Sequence, residues 1–301
     1  MSPSPISAVR KAVIPIAGLG TRHFPASHAV KKELFPVVGP DGIARALFHY
    51  HLLELDAAGI EEICIIVQPG EDEMVRRYLR GPDDSYLKRL EKHPALLREA
   101  ERMRGLAGRV TFAVQPQQEG YGHAVFQTKN FANGEFILLN LGDHLFRGKP
   151  VSPCRELARM AAVSRGRSVS AVNRITADEL KGYGTIAGKR QEENPRLIDV
   201  SLIIEKPAAT LAREQLHVDG LPREIWLGWF GLHLLAPSIY DILEEMIRDN
   251  VRDHGEFQLT HAQEIQRQRE GYLALEMTAA ERFDFGVPDD FVRSVQAFRH
   301  G

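Results

Sequence analysis

The run Ala17-Gly-Leu-Gly-Thr-Arg22 couples small residues to a cation. Glycines at 18 and 20 let backbone N–H groups approach phosphate oxygens, and Arg22 follows with a positive charge. The spacing lacks the third glycine of a dinucleotide fingerprint and the Gly-Lys-Ser/Thr ending of a P-loop, so it implies neither chemistry. Further on, Lys31-Lys32-Glu33-Leu-Phe-Pro36 adds charge in a stretch too rich in turn formers for a core helix. Arg22 and Lys32 on one flexible loop suit a polyphosphate, whose transfer is catalysed mainly by positioning and electrostatics. A solvated surface pair is the plainer reading of Lys31 and Lys32. Two carboxylates stand out: Asp143 in Leu141-Gly-Asp-His-Leu-Phe146, and Asp284 in Arg282-Phe-Asp-Phe-Gly286. Magnesium takes one or two such groups together with waters and substrate phosphates. Taken singly, each aspartate serves equally well as the cap of a local turn.

Such groups need a frame. Lys11–Ile16 is a near-continuous apolar run ending at the glycine loop, and it predicts a buried parallel strand. A helical pattern from Ala44 to Ala58, closed by Gly59 as its C′ residue, leads to a second apolar run at Ile63–Val67. Strand, loop, helix and strand in that order make a right-handed crossover onto a parallel sheet. The alternation continues through charged helical material over 71–104, a strand at Val110–Val114, a helix near His123–Asn130 and a strand at Phe136–Asn140. Asp143 and the glycine loop then share the carboxyl edge of the sheet, where open α/β sheets bind ligands. A helix at 154–163 precedes a strand at 168–172, and 183–187 with 197–204 look like a hairpin, so the sheet turns mixed. Helices are expected at 238–249, 258–270 and 289–299. The last, with Val292, Val295 and Phe298 at helical spacing, is expected to dock on its own domain or on a second subunit. Trp226 and Trp229, on either side of Gly228, read as core packing or as a stacking platform for a sugar.

The 301 residues are 44% hydrophobic and 26% charged, with 38 Lys+Arg against 40 Asp+Glu. This is a globular chain with material for a large core, and its formal net charge of −2 gives no global pull toward nucleic acid or an anionic membrane. Cys64 and Cys154 lack the paired spacing of a disulfide framework or zinc site and are expected to be reduced and structural. Residues 1–10 read as a flexible Pro/Ser-rich leader and 11–301 as one domain with a C-terminal helical embellishment. No apolar stretch suits a signal peptide or membrane span, so the cytoplasm is the expected compartment.

The motifs together resemble those of the sugar-1-phosphate nucleotidyltransferases. The resemblance runs from about residue 11 to 299 and rests on Ala17–Arg22 with Phe24-Pro25, then Lys32–Pro36, Gln115 with Glu119-Gly-Tyr-Gly-His-Ala124, Leu141-Gly-Asp143, Tyr183-Gly184, Glu205-Lys-Pro207, Gly255–Thr260 and Phe283–Gly286. Any one is weak; their order along the chain is what makes the resemblance specific. It implies a three-layer, doubly wound Rossmann-like α/β fold with a mixed sheet, of the nucleotide-diphospho-sugar transferase type. It implies transfer of a uridylyl group from UTP to a sugar 1-phosphate, glucose 1-phosphate foremost, with Mg2+ as cofactor and a homo-oligomer, dimer or tetramer. Carried over, Ala17, Gly18, Gly20, Gln115 and Gly120 would hold the nucleotide, and Arg22 and Lys32 its triphosphate. Asp143 and Asp284 would share the magnesium, Lys206 would grip the sugar phosphate, and Glu205 with the Gly184 backbone would bind sugar hydroxyls.

Four positions depart from the pattern. Lys31 and Gly142 each stand where proline is usual, His144 follows the first aspartate, and Phe285 replaces a smaller residue. Gly142 is expected to loosen the backbone beside Asp143, and Lys31 to add charge to the loop. The long charged stretch 81–109 resembles the insertion of the uridylyltransferases and is longer than expected of thymidylyltransferases, so the resemblance implies UTP over dTTP, although one methyl separates the bases by only about 1–3 kcal/mol. A thymidylyltransferase, another sugar specificity, and a catalytically silent nucleotide- or sugar-phosphate-binding regulator stay open. A nicotinamide oxidoreductase is disfavoured by the incomplete glycine fingerprint.

Overall fold

The computed structural model describes residues 9–300, so most of the expected leader, residues 1–8, lies outside the described residues. The strands are β1 (Lys11–Pro15), β2 (Pro36–Val38), β3 (Ala44–Ala46), β4 (Glu62–Val67), β5 (Val110–Val114), β6 (Ile137–Asn140), β7 (His144–Gly148), β8 (Val169–Ile175), β9 (Thr185–Arg190), β10 (Leu197–Ile204), β11 (Trp226–Leu235), β12 (Leu273–Glu276) and β13 (Ala280–Asp284). The helices are α1 (Ala26–Ala29), α2 (Leu47–Ala58), α3 (Asp72–Arg80), α4 (Asp84–Leu90), α5 (Pro94–Ala107), α6 (Tyr121–Phe126), α7 (Lys129–Ala132), α8 (Pro153–Ala158), α9 (Ala209–Gln215), α10 (Ser238–Arg248), α11 (Leu259–Glu270) and α12 (Pro288–His300).

Among the described residues, nine strands form one mixed sheet in the order β5-β4-β1-β6-β11-β8-β12-β10-β9. The first four are parallel, as the alternation of apolar runs and helices predicts, with β5 the half-exposed edge, and β11 then enters antiparallel to both β6 and β8. The two-residue period of β1 sorts its side chains between two cores. Ala12 and Ile14 pack with Phe48, Leu52 and Leu55 of α2 and Val75 of α3 on one face, whereas Val13 packs with Val125 of α6 and Ile239 and Leu243 of α10 on the other. Helices therefore cover both sides.

Gly59 ends α2 at φ 87°, with its N–H bonded to the Asp56 carbonyl and that of Ile60 to Leu55, as its place in the sequence predicts. Several expected elements are corrected. The helix expected from Ala44 begins only at Leu47, because Ala44–Ala46 pairs with Pro36–Val38. The helical stretch 71–104 is three helices, broken at Gly81 and before Pro94. That expected at 123–130 is the two short helices α6 and α7. The terminal helix α12 docks on its own chain: Phe291, Val295 and Phe298 pack with Val37, Leu47 and Phe285, while Val292 is exposed. Cys64 and Cys154 are buried free thiols, as expected. Among the described residues no helix is long and apolar enough to cross a membrane.

Candidate functional site

One cleft of about 940 Å³ opens over the carboxyl ends of β1, β5 and β6, and every residue predicted for the site lines it: Ala17, Gly18, Gly20, Arg22, Lys32, Gln115, Gly120, Asp143, Gly184, Glu205, Lys206 and Asp284. The parallel quartet explains half of this set, because strands running the same way end on the same edge. After β1 the chain reaches Gly20 at φ 67°, where a side chain would be strained, and winds into a short 3-10 turn carrying the exposed Arg22. After β5, the buried Gln115 donates its amide N–H to the Gly120 carbonyl at 3.1 Å.

Lys31 is not the solvated charge of the plainer reading. Its ammonium is buried, paired with Glu71 at 2.6 Å and bonded to the Gly18 carbonyl at 3.2 Å, so it staples the glycine loop to the start of α3. Lys32 turns the other way and pairs with Asp143 at 2.6 Å. Gly142 does not loosen the backbone either. A Cβ there would run into the Pro15 carbonyl and the Ile16 side chain, so glycine permits close packing of the β6 end on the β1 end.

Asp143 and Asp284 meet through a short antiparallel ribbon. β13 pairs with β7 in the register Asp284↔His144, and the Phe285 N–H donates to the Asp143 carbonyl at 2.8 Å. The imidazole of His144 stands between the two carboxylates. Its Nδ1–H donates to Asp143 Oδ1 at 3.0 Å, and Nε2 lies 3.3 Å from Asp284 Oδ2 without the alignment of a hydrogen bond. Burial alone would raise the Asp143 carboxyl, but Lys32 and His144 hold it well below the usual range. Asp284 is lowered despite burial by His144 and by the Gly286 N–H at 2.7 Å. Burial opposes the charge on Lys32, yet Asp143 and Glu33 keep its ammonium above its ordinary value. The buried Glu33 carboxyl is itself pushed up to about 7 by loss of solvent.

Gly286 shows how closely these groups converge. A Cβ there would lie 2.9 Å from Asp143 Oδ2, 3.0 Å from Asp284 Oδ1 and 3.4 Å from Arg22 Nη2. The two carboxylates thus share a space that a methyl group would fill. Two carboxylates around such a space are a donor set that fits magnesium, which takes one or two carboxylates together with water and substrate phosphate.

The opposite end of the cleft is built where β9, β10 and β11 meet. Thr185 is in register with both Ile204 and Gly228, and the Trp229 N–H donates to the Gly184 carbonyl at 2.8 Å. Glu205 follows β10 and accepts from the Thr260 hydroxyl at 2.7 Å. Lys206 has φ 45°, a conformation that costs a non-glycine residue free energy, and its ammonium remains exposed 3.4 Å from Glu205. The two tryptophans part company. Trp226 is core, its indole N–H donating to the Ala212 carbonyl at 3.2 Å, whereas the largely buried Trp229 reaches the cleft wall. The sequence also gave little notice of Tyr121, Tyr183, Gln263 and Arg282, which line the same cleft. Arg282 stacks 4.0 Å above the Tyr183 ring, and the Tyr183 hydroxyl reaches Asp284 at 3.5 Å. Tyr121 and Tyr183 stand inside quoted motifs that assign them no role, and nothing marks Gln263.

The chain is 28% identical over 290 residues to UTP–glucose-1-phosphate uridylyltransferase 1 of Staphylococcus saprophyticus, a match covering 96% of this chain and 92% of that protein. It is 29% identical to a UTP–glucose-1-phosphate uridylyltransferase of Streptococcus pneumoniae, covering 96% and 89%. In structure it resembles an apo UDP-glucose pyrophosphorylase, with TM-score 0.78, 22% identity and coverage of 96% and 98%, and a UTP-bound UGPase from Acinetobacter baumannii, with TM-score 0.73, 23% identity and coverage of 96% and 93%. The Nucleotidyl transferase family model matches residues 11–299, essentially the whole described chain from the first strand through the last helix, and the chain belongs to that family.

Proposed function

We propose that this chain transfers the uridylyl group of UTP to a sugar 1-phosphate, glucose 1-phosphate foremost, and releases pyrophosphate. The observation that carries the reading is the meeting of Asp143, Asp284, Lys32 and Arg22 at one end of a cleft whose other end holds Gly184, Glu205 and Lys206. The names of the relatives support UTP and glucose 1-phosphate over the thymidylyl alternative. A doubly wound Rossmann-like description of the frame, a homo-oligomeric state and a cytoplasmic location belong to the same proposal.

A phosphate oxygen of the sugar 1-phosphate forms a bond to the α-phosphorus of UTP in line with the α–β bridging oxygen, whose bond breaks as pyrophosphate leaves. The attacking phosphate is ionised at neutral pH, so the chain supplies no nucleophile and no base. The barrier lies in bringing two anions together, and cations aimed at the phosphates lower it. Lys32, held charged, passes from Asp143 to the triphosphate; Arg22 stands at the same oxygens. Lys206 meets the sugar phosphate, and its backbone conformation turns the residue out of line with β10. Ala17, Gly18 and Gly20 offer close backbone approach to the nucleotide, and Gln115 and Gly120 bound the base. Asp143 and Asp284 would hold magnesium, which when bound neutralises charge on the triphosphate. Pyrophosphate release from UTP, glucose 1-phosphate and Mg2+ tests the proposal, and silence with every member of a sugar 1-phosphate panel overturns it. Such silence with retained UTP binding is the result that favours a regulator.

A further inference from the structure

Eight buried side-chain polar atoms among the described residues have no hydrogen-bond partner in the protein, and five of them belong to residues of the cleft: Glu33, Tyr121, His144, Trp229 and Gln263. Buried polar groups are nearly always paired, so their concentration in one cleft points to a ligand. Glu33 and His144 touch Lys32 and Asp143 and belong to the phosphate end. The Tyr121 hydroxyl, the Trp229 indole N–H and the Gln263 carboxamide oxygen have no role in the proposed transfer.

Trp229 and Gln263 are held in place. A Cβ on Gly184 would lie 2.6 Å from Trp229 Nε1 and 2.9 Å from Glu205 Oε2, so the indole N–H and the Glu205 carboxylate both crowd the glycine that the sugar is expected to meet. The Trp229 ring packs edge-on against His233, with centroids 5.6 Å apart. Gln263 donates its amide N–H to the Tyr272 hydroxyl at 2.9 Å and lies 3.1 Å from His233 Nδ1. The Ser170 hydroxyl ties His233 and Tyr272 together at 2.6 and 2.7 Å. With its nitrogen committed, Gln263 has only an acceptor to offer. Trp229 has only a donor, and Tyr121 can be either.

One obligate donor, one obligate acceptor and one hydroxyl match groups that both give and receive hydrogen bonds, which describes the ring hydroxyls of a sugar. We infer that Trp229, Gln263 and Tyr121 form the sugar-recognition wall of this cleft and select a hexose 1-phosphate by its free hydroxyls. The inference rests on the transfer reaction proposed above. A site that hydrogen-bonds a hydroxyl rejects an analogue lacking it far more strongly than an apolar pocket rejects a missing methylene.

The test uses the whole chain and steady-state pyrophosphate release, with glucose 1-phosphate and its 2-, 3-, 4- and 6-deoxy and deoxyfluoro analogues, in the wild type and in Tyr121→Phe, Trp229→Phe and Gln263→Met. Each variant is expected to lose at least ~10-fold in kcat/KM for the parent sugar with the KM for UTP unchanged, and to lose nothing further on one particular deoxy analogue. Fluorine accepts weakly and cannot donate, so the analogue paired with Gln263 is refused in its fluoro form, while the one paired with Trp229 is partly kept. Equal losses on every analogue, or a raised KM for UTP, overturn the inference while leaving the transfer reaction standing. A wild type inactive on every sugar overturns both. Tyr121→Phe removes a single oxygen and carries the test should either larger change prevent folding.

Discussion

Lys32→Met separates what the Lys32–Asp143 pair does for the fold from what it does for the reaction. The pair is 2.6 Å long, and its side chains are only 11% and 13% exposed. Removing one partner of a buried pair typically costs about 3–5 kcal/mol, because the other charge stays buried and unmatched. Here His144 still donates to Asp143, so the lower figure applies, about 3 kcal/mol. At about 2 °C per kcal/mol for a chain of this size, the melting temperature should fall by ~6 °C. Turnover should fall ~100-fold or more, since a cation aimed at transferring phosphate is worth about 2.7–4 kcal/mol in the transition state. The double variant Lys32→Met/Asp143→Leu replaces both charges by apolar groups, which is often neutral for a buried pair. Calorimetry should therefore show at least half the lost stability restored, while pyrophosphate release stays at the floor. If the double variant is as unstable as the two single changes summed, the pair is not coupled as described. Normal turnover in Lys32→Met would remove the lysine from the reaction altogether.

Other expected outcomes follow from single positions. Gly286→Ala places a methyl between the carboxylates, 2.9 and 3.0 Å from their oxygens, and should raise the Mg2+ concentration needed for half-maximal activity at least ~10-fold with the melt little changed. Lys206→Gly relieves a φ of 45° and should gain about 1 kcal/mol in urea denaturation while turnover drops; Lys206→Ala should drop turnover without the gain. Burial lowers the pKa of His49 and His51 to about 4 and that of His233 to about 3. The unfolded chain, with histidines near 6.5, then binds more protons, so stability is full above about pH 6.5 and lost as pH falls toward 4, by roughly 3 kcal/mol for each histidine. In pH-dependent denaturation His49→Gln should make that acid limb shallower, and an unchanged slope would show that His49 titrates alike in both states.

The parts of the fold legible in the sequence are those whose signal is local. β1, β4, β5 and β6 are apolar runs punctuated by turn residues, and the loops that end them carry the glycines, Gln115 and Asp143 to one edge. β11 is the largest omission, although all ten of its residues are buried. Burial on both faces leaves no alternation to read, and Gly228 and Gly231 look like a loop. Both glycines instead serve the strand. A Cβ on Gly228 would press into Ile175, and Gly231 at φ 92° lies where the pairing with β8 shifts register between Trp229 and His233. The β7–β13 ribbon was invisible for another reason, since its partners lie far apart and neither is apolar enough to announce a strand. That Asp143 and Asp284 belong to one site is therefore an implication of the resemblance alone, and the ribbon is its physical cause.

His144 illustrates what local reading misses in the site. In the sequence it is simply a departure from the pattern beside Asp143. In the folded chain the Asp284↔His144 register sets the imidazole between the two half-buried carboxylates, 3.0 Å from Asp143 and 3.3 Å from Asp284. Asp143 and Asp284 raise the pKa of His144 against the effect of burial, and His144 lowers theirs. The same logic governs Lys32. Asp143 is paired with Lys32, and both carboxylates adjoin the His144 imidazole; these contacts lower the carboxyl pKa values in a place where burial alone would raise them. A site of this kind is assembled ready for a charged substrate, and its cost to the fold is limited by pairs that can part when phosphate arrives.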